Sequence, residues 1–187
     1  NMQQSFANIT QRLMLLSNLS KYIFPLKANL RLNYSGTALN YFQVQNNQIN
    51  HPSSLTHSTT LIMTVKPKSY FNSEFSINYV VASTKNKSNN SAIGRPINIL
   101  TTTFISTYNF TNSTFMQIEG NYVSQKSNKV NNIFLLDMRL NHTIAKSKTD
   151  IGIKVVNIFN QTRFLINSIE GLQVSTNDYW VRPFTFL

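Results

Sequence analysis

Six carboxylates are the side chains best suited to acid–base or nucleophilic chemistry in this chain: Glu74, Glu119, Asp137, Asp150, Glu170 and Asp178. Glycoside hydrolysis would need two of them facing each other across a cleft, and their scatter along the sequence suggests no such pair. His51 and His57 are near enough in sequence to share a polar loop, but their spacing matches no metal-ligand motif. Cysteine is absent, which removes thiolate metal sites, thiol nucleophiles and a disulfide framework. These residues predict no enzyme, no cofactor and no metal centre, and they identify no ligand contact. The charges read better as structural partners. Asp137 and Arg139, at i and i+2, share one strand face, where with Lys154 and Glu119 they are expected to form inward-facing ion pairs or hydrogen bonds.

The element that must carry Asp137, Arg139 and Lys154 is the stretch Asn132 to Asn160. Phe134, Leu136, Met138, Leu140 and Ile144 fall on one face at a period of two, with Asp137, Arg139, Asn141 and Thr143 on the other. His142 keeps the apolar parity and reads as an interfacial side chain. A polar turn, Lys146 to Thr149, leads to Ile151, Ile153 and Val155, alternating with Gly152 and Lys154. Two such runs joined by a short turn make an antiparallel hairpin.

Alternation of this kind has two causes. In a soluble sandwich the apolar face covers a core and strands run about 5–6 residues; in a transmembrane barrel it meets lipid and each strand needs about 9–11 residues. The pattern from Phe134 through Thr143 is long enough for the second. Charged residues make up only 12% of the chain against 41% hydrophobic, about half the charged share of a soluble domain. The formal charge of +11 does not form a nucleic-acid footprint, because Lys27, Arg31, Lys66, Arg139 and Lys154 stand singly at alternate positions. No apolar run approaches the length of a membrane-spanning helix, and the opening residues carry no export-signal pattern.

The rest of the chain repeats the theme. Ile9, Gln11, Leu13 and Leu15 suggest a strand entering a turn at Ser17 to Pro25. Leu26 to Tyr34 alternates cleanly and continues in phase to Val44, followed by a polar tip at Asn46 to Ser54 and a return through Thr59 to Val65. Phe75 to Val81, Ile97 to Tyr108 and Met116 to Tyr122 follow, separated by the turn at Pro67 to Asn72, the loop Ser83 to Pro96 and the turn Asn109 to Thr114. A long connection from Asn160 to about Asn177 precedes a last run, Asp178 to Leu187. Short and long connections alternate, and the short ones carry Tyr22, Phe24, Tyr70, Phe71, Tyr108 and Phe110, where an interfacial aromatic girdle would lie. The expected fold is all-β: an antiparallel up-and-down transmembrane barrel, of which this chain supplies about nine strands. Nine cannot close as a bacterial single-chain barrel, so residues 1–187 are expected to be the C-terminal part of a larger one, with a plug domain and further strands outside this sequence.

The series Phe134-Leu135-Leu136-Asp137-Met138-Arg139-Leu140, Lys148-Thr149-Asp150-Ile151-Gly152-Ile153, Val156-Asn157-Ile158-Phe159-Asn160 and Trp180-Val181-Arg182-Pro183-Phe184 resembles the C-terminal barrel of TonB-dependent outer-membrane receptors of the Bacteroidetes type. In that family the Val156–Asn160 pattern marks the end of the penultimate strand and Arg182-Pro183 the start of the closing one. The resemblance implies a bacterial outer-membrane location, contact with lipid and lipopolysaccharide, coupling to TonB through an N-terminal plug, and import of a large scarce nutrient such as a siderophore, oligosaccharide or peptide. A surface lipoprotein or larger outer-membrane complex is the further partner it implies; nucleic acid is not one. The alternatives are a non-transporting barrel with a secretion, assembly or structural role, and a soluble β-sandwich binding module.

Overall fold

The computed structural model describes residues 6–45, 48–86, 91–92, 96–126, 130–144, 146, 149–161, 163–170, 173–180 and 185–186. Its strands are β1 (Phe6–Ile23), β2 (Ala28–Gln45), β3 (Gln48–Asn50), β4 (Pro52–Lys68), β5 (Phe71–Asn86), β6 (Ser91–Ala92), β7 (Ile97–Asn109), β8 (Thr114–Lys126), β9 (Val130–Ile144), β10 (Thr149–Val156), β11 (Arg163–Glu170), β12 (Gln173–Trp180) and β13 (Thr185–Phe186). Eight long strands, β1, β2, β4, β5, β7, β8, β9 and β10, pair antiparallel in chain order to make one up-and-down sheet. β3 and β6 extend the ends of β2 and β5, and β13 adds a two-residue bridge to β10. Among the described residues β1 pairs only with β2, so the sheet does not close on itself.

The all-β, antiparallel up-and-down arrangement follows from the alternation, but the strand count does not. The expected connection from Asn160 to Asn177 contains β11 and β12, which pair with each other as a separate hairpin. The expected ninth strand, Asp178 to Leu187, is divided: Asp178 to Trp180 belong to β12, and Thr185–Phe186 pair with Val156 and Val155. A run rich in aromatic residues fits a hairpin as well as a sheet edge, and periodicity cannot tell them apart over so few residues.

Several boundaries also move. Ser17 and Ser20 suggest a turn, yet β1 continues to Ile23 because Leu19, Lys21 and Ile23 keep the parity of Leu13 and Leu15 opposite β2. The turn is instead Phe24–Leu26, with Pro25 in its first positions and Lys27 in the left-handed region at φ 45°. Ile9 is out of phase with Leu13, because a bulge between Ile9 and Gln11 shifts the register. Pro67, which lacks an N–H for the ladder, lies in a second bulge between Val65 and Lys68. Pairing extends into stretches read as loops, with β4 starting at Pro52 and β5 running to Asn86.

Paired residues trace rows across the sheet. The row beginning at Ile23, the last residue of β1, passes through Ala28, Val65, Ser73, Ser106 and Ile118 and reaches Met138, six residues before the end of β9. The short-turn end thus slides by about one residue per strand. In a closed sheet whose shear equals its strand number, that slide corresponds to a strand tilt of about 36°. Among the described residues no helix is long and apolar enough to cross a membrane, which leaves strand-based crossing untouched.

Candidate membrane surface and polar face

Because directly paired residues share a face, the register divides the side chains into two sets. One row on the first face reads Lys21, Leu30, Met63, Phe75, Phe104, Gly120, Leu136, and the next reads Leu19, Leu32, Leu61, Ile77, Thr102, Tyr122, Phe134. The second face carries Ser20, Arg31, Ile62, Ser76, Thr103, Asn121, Leu135 in one row and Tyr22, Asn29, Thr64, Glu74, Ile105, Glu119, Asp137 in another. Apart from Lys21 and Thr102, the first face forms an apolar belt over the width of the sheet in these rows; the other is rich in amides, hydroxyls and charges.

Burial is inverted relative to a water-soluble sheet. On the apolar face Leu13, Leu15 and Leu19 are 61–71% exposed, and Phe104, Phe134, Leu140 and Ile153 are 38–45% exposed. Leu30, Phe75 and Leu136 are half-buried rather than enclosed. The residues that are buried lie mostly on the polar face: Ile97 and Ile133 at 3%, Thr84, Gln125 and Asn141. Apolar surface left in water costs about 25 cal/mol per Å², so an exposed belt of this extent requires an apolar partner.

At the short-turn end the aromatic residues meet one another. Tyr22 and Phe24 are edge-on with centroids 5.4 Å apart; Tyr70 contacts Tyr108 at 5.4 Å, Tyr108 contacts Phe110 at 4.9 Å, and the Lys68 ammonium lies 5.6 Å from the Tyr70 ring. All are exposed. Such rings prefer a boundary where the body is apolar and the hydroxyl or ammonium stays wet.

The polar face holds the four expected charges together. Lys154 Nζ lies 3.6 Å from Asp137 Oδ2, Asn121 donates to Glu119 Oε1 at 3.1 Å, and Arg139 Nε donates to Asn141 Oδ1 at 2.7 Å. Asp137 also accepts the backbone N–H of Asn157 at 2.9 Å. Asp150 accepts from the Thr143 hydroxyl at 2.6 Å, while Glu74 sits in the row of Glu119 and Asp137. Glu170 belongs to β11 and Asp178 to β12. Glu119 and Asp137 oppose each other directly on the adjacent strands β8 and β9, and no group of three metal-binding side chains occurs among the described residues.

The histidines part company. His51 is exposed, with its ring 5.6 Å from that of Phe42. His57, expected in the same loop, lies within β4, where its Nδ1 is 2.7 Å from the Tyr34 hydroxyl. That pair sits over Gly36, whose missing side chain leaves room: a Cβ there would lie 3.0 Å from the Tyr34 hydroxyl. His142 is exposed on the apolar face near the short-turn end, bonded through Nδ1 to the Thr114 hydroxyl at 2.8 Å.

Two features were not legible in the residue pattern. Asn157 is 1% exposed with φ 54°, and its side chain bonds the backbone N–H and C=O of Gln161 at 2.9 and 2.7 Å. Gly152 faces Asn141 across the β9–β10 pair, and a Cβ there would lie 2.6 Å from Asn141 Oδ1. Because Arg139 holds that oxygen, Gly152→Ala is expected to destabilise by about 1–3 kcal/mol. Asn141→Ala introduced with it should recover much of the loss relative to Asn141→Ala alone, as a double-mutant cycle in urea would measure.

On the polar side an open groove of about 390 Å³ lies beside Leu16, Asn18, Asn33, Ser35, Ser58 and Thr60. Ser58 and Thr60 both donate to Asn78 Oδ1, at 3.0 and 3.1 Å. Compared with protein families, with curated proteins and with solved structures, the chain matches none.

Proposed function

We propose that this sheet is part of an outer-membrane β-barrel, with its apolar face toward lipid and its polar face toward a water-filled lumen. The observation that carries the reading is the inverted burial: apart from Ile9, Met14, Leu16 and Tyr22 of the edge strand β1, the large apolar side chains that stand open within the sheet lie on one face, while most buried residues gather on the other. Three features support it. Strands of 13–18 residues, β10 at 8 excepted, exceed the 9–11 or so that a tilted crossing requires; the slide of about one residue per strand suits a tilted wall; and aromatic rings cluster at the short-turn end. The resemblance carried by Phe134–Leu140 and Val156–Asn160 extends the proposal to a TonB-dependent receptor that imports a siderophore, oligosaccharide or peptide.

Fractionation tests the first part. The protein is expected in the outer-membrane fraction and to stay monodisperse only in detergent; a monodisperse, folded protein in detergent-free buffer would favour the sandwich and end the proposal. For transport, removal of the gene should abolish TonB-dependent uptake of one of the three nutrient classes. Uptake unchanged for all three would leave a barrel without this function.

A further inference from the structure

We infer that the β11–β12 hairpin is seated on the polar face near the long-loop end of the sheet, where, on the barrel reading, it stoppers the lumen. The seat is marked by four buried residues on adjacent strands: Thr84 of β5, Ile97 of β7, Gln125 of β8 and Ile133 of β9, each 2–3% exposed. They share one face and one level, since Ala82 pairs with Ile97, Ile99 with Gln125, and Val123 with Ile133.

Strand neighbours alone do not explain their burial. Leu135 and Ile99 lie two residues along from Ile133 and Ile97, on the same face and between the same strands, yet both are half-exposed. Something therefore lies over the four and not over the two. The backbone of β11 comes within 8 Å, Cα to Cα, of β5, β7 and β9, the strands that carry three of the four. The opposite face of those strands remains open at Tyr79, Phe104 and Phe134, so the hairpin belongs to the polar side. Its point of departure agrees: at the end of β10 the Asn157 N–H bonds the Asp137 carboxylate, which itself projects from the polar face.

The functional consequence rests on the barrel reading. Where the polar face lines a lumen, a hairpin of two eight-residue strands laid over it obstructs the water path, and solute can pass only when the hairpin moves aside.

The absence of cysteine makes the seat directly testable with single introduced thiols in the full chain, read in detergent with a polar maleimide. Ile133→Cys is expected to react at least about tenfold more slowly than Leu135→Cys, since modification requires the cover to open. Replacing residues 163–180 by a short Gly-Ser connector should bring the two rates together. Equal rates in the intact chain, or an Ile133→Cys rate unmoved by the replacement, would overturn the inference. Should the shortened chain fail to fold, Ile97→Cys combined in turn with a cysteine at each position of 163–170 should yield a disulfide at one or more of them under mild oxidation; none at any position would overturn it equally. Planar-bilayer conductance separates the two readings. The shortened chain should conduct more than the intact one, and equalised thiol rates with no rise in conductance would retain the seat and remove the barrel.

Discussion

Phe104→Arg is expected, on the proposed lipid-facing orientation, to destabilise the protein in bilayers by about 2–4 kcal/mol, the cost of a guanidinium in lipid near the midplane. Thr103→Arg, one residue away, should change stability by less than about 1 kcal/mol because its side chain lies on the polar face. Phe104 is 38% exposed and lies mid-strand between Phe75 and Gly120. In a water-soluble sheet, an exposed position like this would accept arginine at little cost, as surface substitutions do within about 0.5 kcal/mol. The ordering of the two variants therefore distinguishes solvents rather than packing arrangements. Reversible urea unfolding of each variant, inserted in vesicles, measures it.

The second large effect is expected at Asn157. Alanine there loses two side-chain hydrogen bonds to Gln161 and must occupy φ 54°, where an ordinary L-residue is strained by about 1–2 kcal/mol. Leaving the half-buried Gln161 partners unmet adds about 1–2 kcal/mol, so Asn157→Ala should cost about 2–4 kcal/mol in all. Asn157→Gly keeps the backbone freedom and should recover the strain part only. Unfolding midpoints of the two variants separate the contributions: equal losses would mean that the left-handed backbone is not what the asparagine supplies.

Asn157 also illustrates what sequence could convey. The Val156–Asn160 run marks the end of a strand, and β10 does stop at Val156. That the asparagine ends it by adopting a left-handed turn and bonding forward to Gln161 depends on two φ values, at Asn157 and Asn160, that alternation does not encode. The β9–β10 hairpin was fully legible because Phe134, Leu136, Met138 and Leu140 alternate with Asp137, Arg139 and Asn141 without interruption. β1 was not, since Leu13-Met14-Leu15-Leu16 is apolar on both faces and a bulge near Ile9 breaks the parity. Likewise His51 and His57 read as loop neighbours because Ser53, Ser54 and Ser58 resemble turn residues; cross-strand pairing with β2 holds Ser53 to Ser58, His57 included, extended, while His51 lies just outside the strand. Tertiary pairing overrides local propensity at such places.

The polar charge cluster was readable as a set on one face but not as particular bonds. Asp137, Arg139, Lys154 and Glu119 are expected from the sequence to form ion pairs or hydrogen bonds, with no partner assigned to any one of them; Asp137 pairs with Lys154 on the neighbouring strand and Arg139 bonds Asn141. Direct cross-strand opposition of Arg139 and Lys154 puts two cations side by side, and turning toward different acceptors relieves their repulsion. The Lys154–Asp137 pair is open to water on the lysine side, and its removal should cost no more than about 1 kcal/mol.

The most direct test of the two-faced sheet is residue-by-residue accessibility along β2. Single cysteines at positions 30 to 35, spin-labelled in the otherwise thiol-free protein and inserted in bilayers, should alternate in their collision rates. Labels at Leu30, Leu32 and Tyr34 should collide preferentially with dissolved oxygen, which concentrates in lipid. Those at Arg31, Asn33 and Ser35 should favour a water-soluble nickel chelate. Labels at 30, 32 and 34 that meet the chelate freely, or that are shielded from both reagents, would contradict a lipid-facing belt.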